Sequence, residues 1–246
     1  MTTAKIHRKI RGKIGKAIFN YKMISKDDHI VVGLSGGKDS VFLLIALDEI
    51  RRWSPVPFSL SACSVDITGG SWDTSAMEDL CADREIPYRV VPHPVEEIIR
   101  IRDERSPCSF CANMRRGILN STVKETGGTT LALGHNLDDA VETALMNLLR
   151  TGRFRSFQPT AWQSNSQVRL IRPMVYLSEK AILTEVERLN LPLLKYTCPF
   201  SLETERTRAK GLVKELSKKF PDVKQNILHA LKCIDTKDRW GEEGSP

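Results

Sequence analysis

The stretch Ile30-Val31-Val32-Gly33-Leu34-Ser35-Gly36-Gly37-Lys38-Asp39-Ser40, running on into Val41 to Ile50, decides the fold. Ile30 to Leu34 is a short apolar run rich in β-branched residues and reads as a buried strand. Val41 to Ile50 has the density and spacing of a helix packed on a sheet. Gly36 and Gly37 let the backbone between them turn sharply and approach a ligand with no Cβ in the way. A turn that opens a helix also presents unpaired N–H groups, backed by the positive end of the helix dipole. Lys38 adds a mobile cation, and Ser35 and Ser40 add hydroxyl donors. The loop is therefore an anion cradle whose charge and size suit phosphate. The plainer reading is a strand–turn–helix connection with Asp39 or Ser40 capping the helix. The spacing is not the Gly-x-x-x-x-Gly-Lys-[Ser/Thr] of a Walker A loop.

Outward from that loop, Phe58 to Val65 (ending in Asp66), Tyr88 to Val91, Thr129 to Leu133 and Val168 to Ile171 read as four further strands. Helical segments over 72–84 and 94–102 alternate with them. This predicts an α/β fold: a mainly parallel five-stranded sheet with helices on both faces. Ligands in such sheets bind beyond the carboxyl ends of the strands. That edge holds the first loop, the turn at Val65 and Asp66, and the loop at Gly134. From Leu177 the pattern is helical, over roughly 178–190, 205–219 and 222–234, with a frayed tail from Gly241 to Pro246. The organisation expected is a basic helical arm (1–27), the α/β domain (28–176) and a small helical C-terminal extension (177–240).

Leu133-Gly134-His135-Asn136-Leu137-Asp138-Asp139 closes the fourth strand and opens a helix. Gly134 would let a nucleotide lie close to the backbone. Adjacent carboxylates suit Mg²⁺, which keeps several waters and needs one or two carboxylates from the protein. The alternative is a capped helix whose acidic residues favour its positive end.

The chain has 246 residues and a net charge of +7, unevenly placed. Lys5, Arg8, Lys9, Arg11, Lys13 and Lys16 precede the first acidic residue, Asp27. Ile6, Ile10, Ile14 and Ala17 recur among them at helical spacing. An amphipathic helix follows, whose apolar side packs and whose basic side, including Lys9, Arg11 and Lys13, is suited to RNA. No apolar run approaches the roughly 18–20 residues needed to span a bilayer. Met1 to Lys16 lacks the apolar core of a secretory signal. A cytoplasmic protein without membrane contact is expected.

Of the six cysteines, Cys63 and Cys81 fall in a strand and a helix and read as core, and Cys233 has no assigned role. Cys108-Ser109-Phe110-Cys111 places two sulfurs within reach of one metal or cluster, or makes a redox dithiol. The flanking pattern does not suit a thioredoxin-like site, and structural zinc usually takes four Cys or His ligands. Cys198, in Tyr196-Thr197-Cys198-Pro199, is the best third ligand. Arg115 and Arg116 follow the pair, to neutralise a metal site or to bind RNA.

Ser35 to Ser40 resembles the Ser-Gly-Gly-x-Asp-Ser loop of the PP-loop ATP pyrophosphatases. Gly134 to Asp139 looks like the Gly-His-x-x-Asp-Asp motif of the tRNA-modifying members. Taken with Cys108, Cys111 and Cys198, the chain resembles the TtcA/TtuA family of tRNA thiolases from about Lys13 to Leu231. It lacks the paired terminal cysteines of the 2-thiouridine branch and so looks closer to the 2-thiocytidine branch. The resemblance implies ATP on Leu34, Ser35, Gly36, Gly37, Lys38, Asp39 and Ser40, with Val65, Asp66, Gly134 and Asp139 completing its site. It implies Mg²⁺ near Asp39 and Asp139, and Lys38, Asp39 and Asp139 in catalytic roles. Cys108, Cys111 and Cys198 would hold a [4Fe-4S] cluster with one open iron, and Arg115 and Arg116 join the RNA-contact candidates. The implied partners are tRNA, a sulfur donor of unspecified chemistry and a second copy of the chain. Two rivals stand beside this reading: a PP-loop ligase or amidating enzyme without a cluster, and a non-catalytic RNA-binding protein with a structural metal.

Overall fold

The computed structural model describes residues 5–194, 198–200 and 205–233. The tail from Gly241 to Pro246 and Tyr196 and Thr197 of the cysteine loop lie outside the described residues.

Six strands form one sheet in the order β3-β2-β1-β4-β6-β5. They are β1 (Asp28–Gly33), β2 (Phe58–Asp66), β3 (Tyr88–Pro92), β4 (Thr130–Ala132), β5 (Thr160–Gln163) and β6 (Val168–Ile171). All neighbouring pairs are parallel except β5 with β6. The five strands expected from sequence are present, and β5 is the addition. Its four residues are too few to announce a period of two. Ala161 turns inward, Trp162 is exposed, and Gln167 takes φ +53° in the turn that joins the hairpin.

The helices of the sheet-bearing half are α1 (Arg8–Asn20), α2 (Lys38–Arg51), α3 (Ser75–Ala82), α4 (Val95–Ile101), α5 (Pro107–Glu125) and α7 (Glu179–Arg188). α6 (Leu137–Thr151), α8 (Glu205–Lys219) and α9 (Val223–Lys232) complete the set among the described residues. α4 and α5 cover one face of the sheet. There Val31, Cys63, Val65, Leu131 and Leu170 are buried against Val95, Ile99, Leu119 and Val123. α2 packs on β1 and β2 and also touches α1 and α7. Being covered on several sides, it is apolar almost all round, with Val41 to Leu47 all buried. Cys63 and Cys81 are buried, as expected for core thiols, and Cys233 is exposed. No described helix is long and apolar enough to cross a membrane.

Chain contacts divide the protein into two compact units, Met1–Leu137 with Gln158–Leu202, and Asp138–Phe157 with Glu203–Pro246. The first contains the whole sheet and, unlike the boundary expected at residue 177, also α7. The second contains α8, α9 and α6 beyond its first residue. In it Arg206 pairs with Asp139 at 2.5 Å and Glu142 at 3.4 Å, and Lys224 pairs with Asp138.

The arm is tied down by its backbone. Ile6 N–H donates to Glu49 at 2.8 Å and His7 N–H to Glu185 at 3.0 Å, while Ile14 and Ala17 are buried. Arg11 pairs with Glu49 at 2.5 Å and lies 5.2 Å above the Trp53 ring. Of the three basic residues read as RNA contacts, Lys9 and Lys13 are exposed, and Arg11 pairs with Glu49 on α2.

Asp48 on α2 is fully buried and is ringed by Arg51, Arg52 and Arg84 at 2.8–3.1 Å. Removing a buried carboxylate leaves its cations uncompensated. Asp48→Ala is expected to lower stability by about 3 kcal/mol, read as the shift in a urea unfolding midpoint. A change within measurement error would show that the arginines stabilise nothing through it.

Candidate active site

In a parallel sheet the carboxyl ends of the strands share one edge, and a crevice opens where the strand order reverses. Here that point lies between β1 and β4, whose following loops are Leu34–Gly37 and Leu133–Asn136. Both nucleotide motifs read from sequence therefore fall at the same crevice.

The first loop is built for an anion. Gly37 is the N-cap of α2 and carries no side chain to accept from the first-turn N–H groups. Neither Asp39 nor Ser40 caps the helix. Ser40 instead folds back: its Oγ donates to the Gly37 carbonyl at 2.9 Å and accepts from Ser35 N–H at 3.1 Å. Ser35 Oγ lies 3.0 Å from the same atom. The loop is thus shaped by its two serines, and the helix end stays open for a ligand. Gly36 has φ +72°, and a Cβ there would come within 2.6 Å of Leu194. Leu34 is buried and donates its N–H to the Cys63 carbonyl at 2.8 Å. Its own carbonyl accepts from Ser64, whose hydroxyl in turn takes the Tyr88 hydroxyl proton at 2.7 Å.

Lys38 Nζ sits 2.7 Å from Asp39 and 3.0 Å from Glu179. Burial alone would lower its pKa, but the hydrogen bonds to the two carboxylates outweigh this and raise it, so the ammonium is charged at neutral pH. The other Asp39 oxygen accepts from buried Asn136 at 3.2 Å. Glu179 and Asn136 are residues the sequence reading missed. A Glu at the start of a C-terminal helix carries no sign that it will meet a loop more than a hundred residues earlier.

Gly134 has a packing role. A Cβ on it would stand 3.0 Å from the Asp39 carbonyl carbon and 3.1 Å from Ser40 N. Its missing side chain lets the two loops pack backbone to backbone. His135 Nδ1 accepts from Arg172 Nε at 3.2 Å. Arg172 is buried at the end of β6, and burial together with the charge of Arg116 pulls its guanidinium down to about 10.

Val65 and Asp66 end β2 on the same edge, but Val65 is buried in the sheet core. Asp66 is spent on the chain itself: Oδ1 accepts from Thr68 N–H at 2.8 Å and Thr68 Oγ1 at 2.6 Å, and Oδ2 from Trp72 N–H at 3.4 Å. Burial would raise its pKa, but these hydrogen bonds prevail and hold the carboxyl below its ordinary range. Asp139 follows Asn136 on the first turn of α6, and its Oδ1 is engaged by Arg206 at 2.5 Å.

Cys108 lies in the first turn of α5 and Cys111 at the start of the second, with Pro107 as the first helical residue. Cys108 Sγ is 4.0 Å from the Phe200 carbonyl, two residues past Cys198. Phe110, Cys111, Met114 and Phe200 all pack on the core beneath α5. Burial pushes the Cys111 thiol up. Arg115, one turn along, opposes this, and Cys198 and Cys108 are both close enough to push it further up. None of Cys108, Cys111 and Cys198 is in a disulfide. Among the described residues no three Cys, His, Asp or Glu side chains converge on a single-ion centre.

One connection joins the thiols to the phosphate loop. Leu194 N–H donates to the Gly36 carbonyl at 3.0 Å. Cys198 follows four residues later, and four residues span at most about 14 Å of extended chain. The third thiol is therefore tethered to the glycine turn.

The sequence matches the PP-loop domain family over residues 5–195. It is 35% identical to the tRNA-cytidine(32) 2-sulfurtransferase of Pelobacter propionicus, an alignment covering 93% of this chain and 87% of that protein. The enzyme of the same name from Coxiella burnetii is 34% identical, over 95% of this chain and 93% of its own. Among solved structures, the U34-tRNA thiolase NcsA from Methanococcus maripaludis with its [4Fe-4S] cluster superposes with a TM-score of 0.73 at 25% identity, covering 92% of this chain and 77% of that one.

The Asp66 hydrogen bonds stabilise its ionised form. Because the folded pKa is depressed, that contribution is present above the unfolded carboxylate value near 3.9 and fades as pH falls through the lower folded value. Asp66→Asn should cost about 2 kcal/mol at pH 7, and the gap between its unfolding midpoint and that of wild type should narrow as pH falls below the unfolded carboxylate value. A cost independent of pH would assign the loss to packing instead.

Proposed function

The chain belongs to the PP-loop family and, within it, to the family of the tRNA-cytidine(32) 2-sulfurtransferases; from that premise we propose that it replaces the C2 oxygen of a tRNA cytidine by sulfur at the expense of ATP. The observation that carries this reading is the Leu194-to-Phe200 segment, which links Gly36 of the anion loop to Cys108 of the thiol pair.

The open end of α2 and the Ser35–Gly37 backbone suit the β- and γ-phosphates of ATP, with Leu34, Ser40, Val65, Asp66 and Gly134 shaping the surrounding edge. Lys38, charged at neutral pH, offsets the charge that develops on departing pyrophosphate. Asp39 presents one oxygen to Lys38 and one to Asn136, which holds its carboxylate at the loop. Its carboxylate suits Mg²⁺, which keeps its waters and needs one or two protein carboxylates. Asp139 is the second candidate, and its pairing with Arg206 means that metal or nucleotide would compete with a guanidinium for it. The C2 oxygen attacks the α-phosphorus, the bond to the β-phosphate breaks, and pyrophosphate leaves. A sulfur nucleophile then adds to C2, the C2–O bond breaks, and AMP departs. The target base must leave any stack to be reached.

The donor set fits an iron–sulfur cluster. Cys108 and Cys111 share one helix, Cys108 reaches the carbonyl of Phe200 two residues past Cys198, and Arg115 offsets negative charge beside Cys111. When bound, a [4Fe-4S] cluster on three thiolates leaves one iron open to carry the incoming sulfur. tRNA is the partner proposed, with Lys9 and Lys13 on the exposed side of α1 among its contacts; a homodimer and a cytoplasmic location are the remaining parts of the proposal.

Anaerobically prepared protein should contain about four irons per chain, and Cys198→Ala should lose them while keeping the wild-type unfolding midpoint. Stoichiometric zinc, or iron unchanged in the variant, would remove the cluster from the account. Asp39→Ala should retain iron and lose more than 100-fold in thiolation rate, as expected when an electrostatic group of the transition state is removed; normal turnover would show that the loop is misassigned.

A further inference from the structure

Arg115 and Arg116 are adjacent in sequence, but a helix separates neighbours by about 100°. Arg115 stands one turn from Cys111 and its charge reaches that thiol. Arg116 instead lines an open cavity of about 650 Å³ between α5 and the β5–β6 turn. Lys124 lines it too, eight residues further along α5, which is about 12 Å of helix. The other side chains lining it carry neutral amides and hydroxyls, and among the described residues none of the lining is acidic. Asn120 and Gln163 exchange two hydrogen bonds, at 3.0 and 3.1 Å, and fix the floor. Gly117 lies in the same wall, where a Cβ would meet nothing within 4 Å. A glycine inside a helix costs stability relative to alanine, and nothing in the packing here requires one; its effect is to leave helix backbone bare to the cavity.

A single small anion would use one cation. Two cations about 12 Å apart along a helix, with donors and acceptors between them and no carboxylate, match a strand with successive phosphates and sugar hydroxyls. The groove begins on the helix that carries Cys108 and Cys111. The backbone flanking a base presented to those thiols can run directly into it. We propose that this groove holds the sugar–phosphate backbone of the tRNA beside the target nucleotide, with Arg116 and Lys124 on its phosphates and Arg115 left to the thiol site. This rests on the reading of the chain as a tRNA thiolase.

Binding of unmodified tRNA to the iron-loaded protein, followed by fluorescence anisotropy across a salt series, tests it. Lys124 is exposed, so Lys124→Glu should fold normally, weaken tRNA binding by about 10-fold at low salt and lower the log–log salt slope by about one. Gly117→Leu, which fills the groove without changing charge, should weaken binding with the salt slope unchanged. Iron content and ATP affinity should match wild type in both. Wild-type affinity and slope in both variants would overturn the groove, including the case in which only sulfur transfer from a protein donor is slowed. A wild-type protein that does not bind tRNA would overturn the thiolase reading itself, and the groove's occupant with it.

Discussion

The hydrogen bond from Leu194 N–H to the Gly36 carbonyl is the constraint on which the rest of the site depends. It requires a glycine at position 36, because the left-handed φ of +72° brings any Cβ into Leu194. It also fixes where the chain leading to Cys198 can go. One end of that segment is pinned to the turn that opens α2, and the other reaches α5 at Cys108. The fold thus ties the phosphate-shaped loop to the chain that carries Cys198, two pieces the sequence keeps apart.

Around that tether the charges are arranged in pairs rather than singly. Lys38 is shared by Asp39 and Glu179, and Asp39 is shared by Lys38 and Asn136. A half-buried cation held by two carboxylates keeps its charge, and the same contacts hold it beside the open helix end. Two groups placed at the ATP site by the sequence reading also have structural uses: Asp66 organises the turn to Trp72, and Gly134 lets two loops touch. Neither use conflicts with a nucleotide nearby, since both define the walls of the crevice in which one would lie.

Much of this was legible because local signals agreed. The change from an apolar β-branched run to a glycine turn and then to helical spacing identified β1, the loop and α2, and the alternation of segments identified a parallel sheet. β5 was not legible: Thr160 to Gln163 is four residues long and owes its place to β6. Ser64, Asn136, Glu179 and Leu194 were missed for a different reason. Each supports the loop through a contact made across the sequence, and a lone Ser, Asn, Glu or Leu has no pattern that announces one. The three cysteines stand out in the sequence because Cys-x-x-Cys is rare by chance and a third thiol on a loop is a small search. Cys108 and Cys111 fall at the start of α5, where Pro107 is favoured at the first helical position.

The central claim is that the nucleotide bound at the glycine turn and the thiol site act on one and the same base. Single-turnover reaction of iron-loaded protein with ATP, a sulfide source and unmodified tRNA measures this directly. AMP, pyrophosphate and 2-thiocytidine should form in equal amounts, and none should form without tRNA that carries the target cytidine. Sulfur incorporation without AMP release, or hydrolysis to ADP and phosphate, would contradict the account.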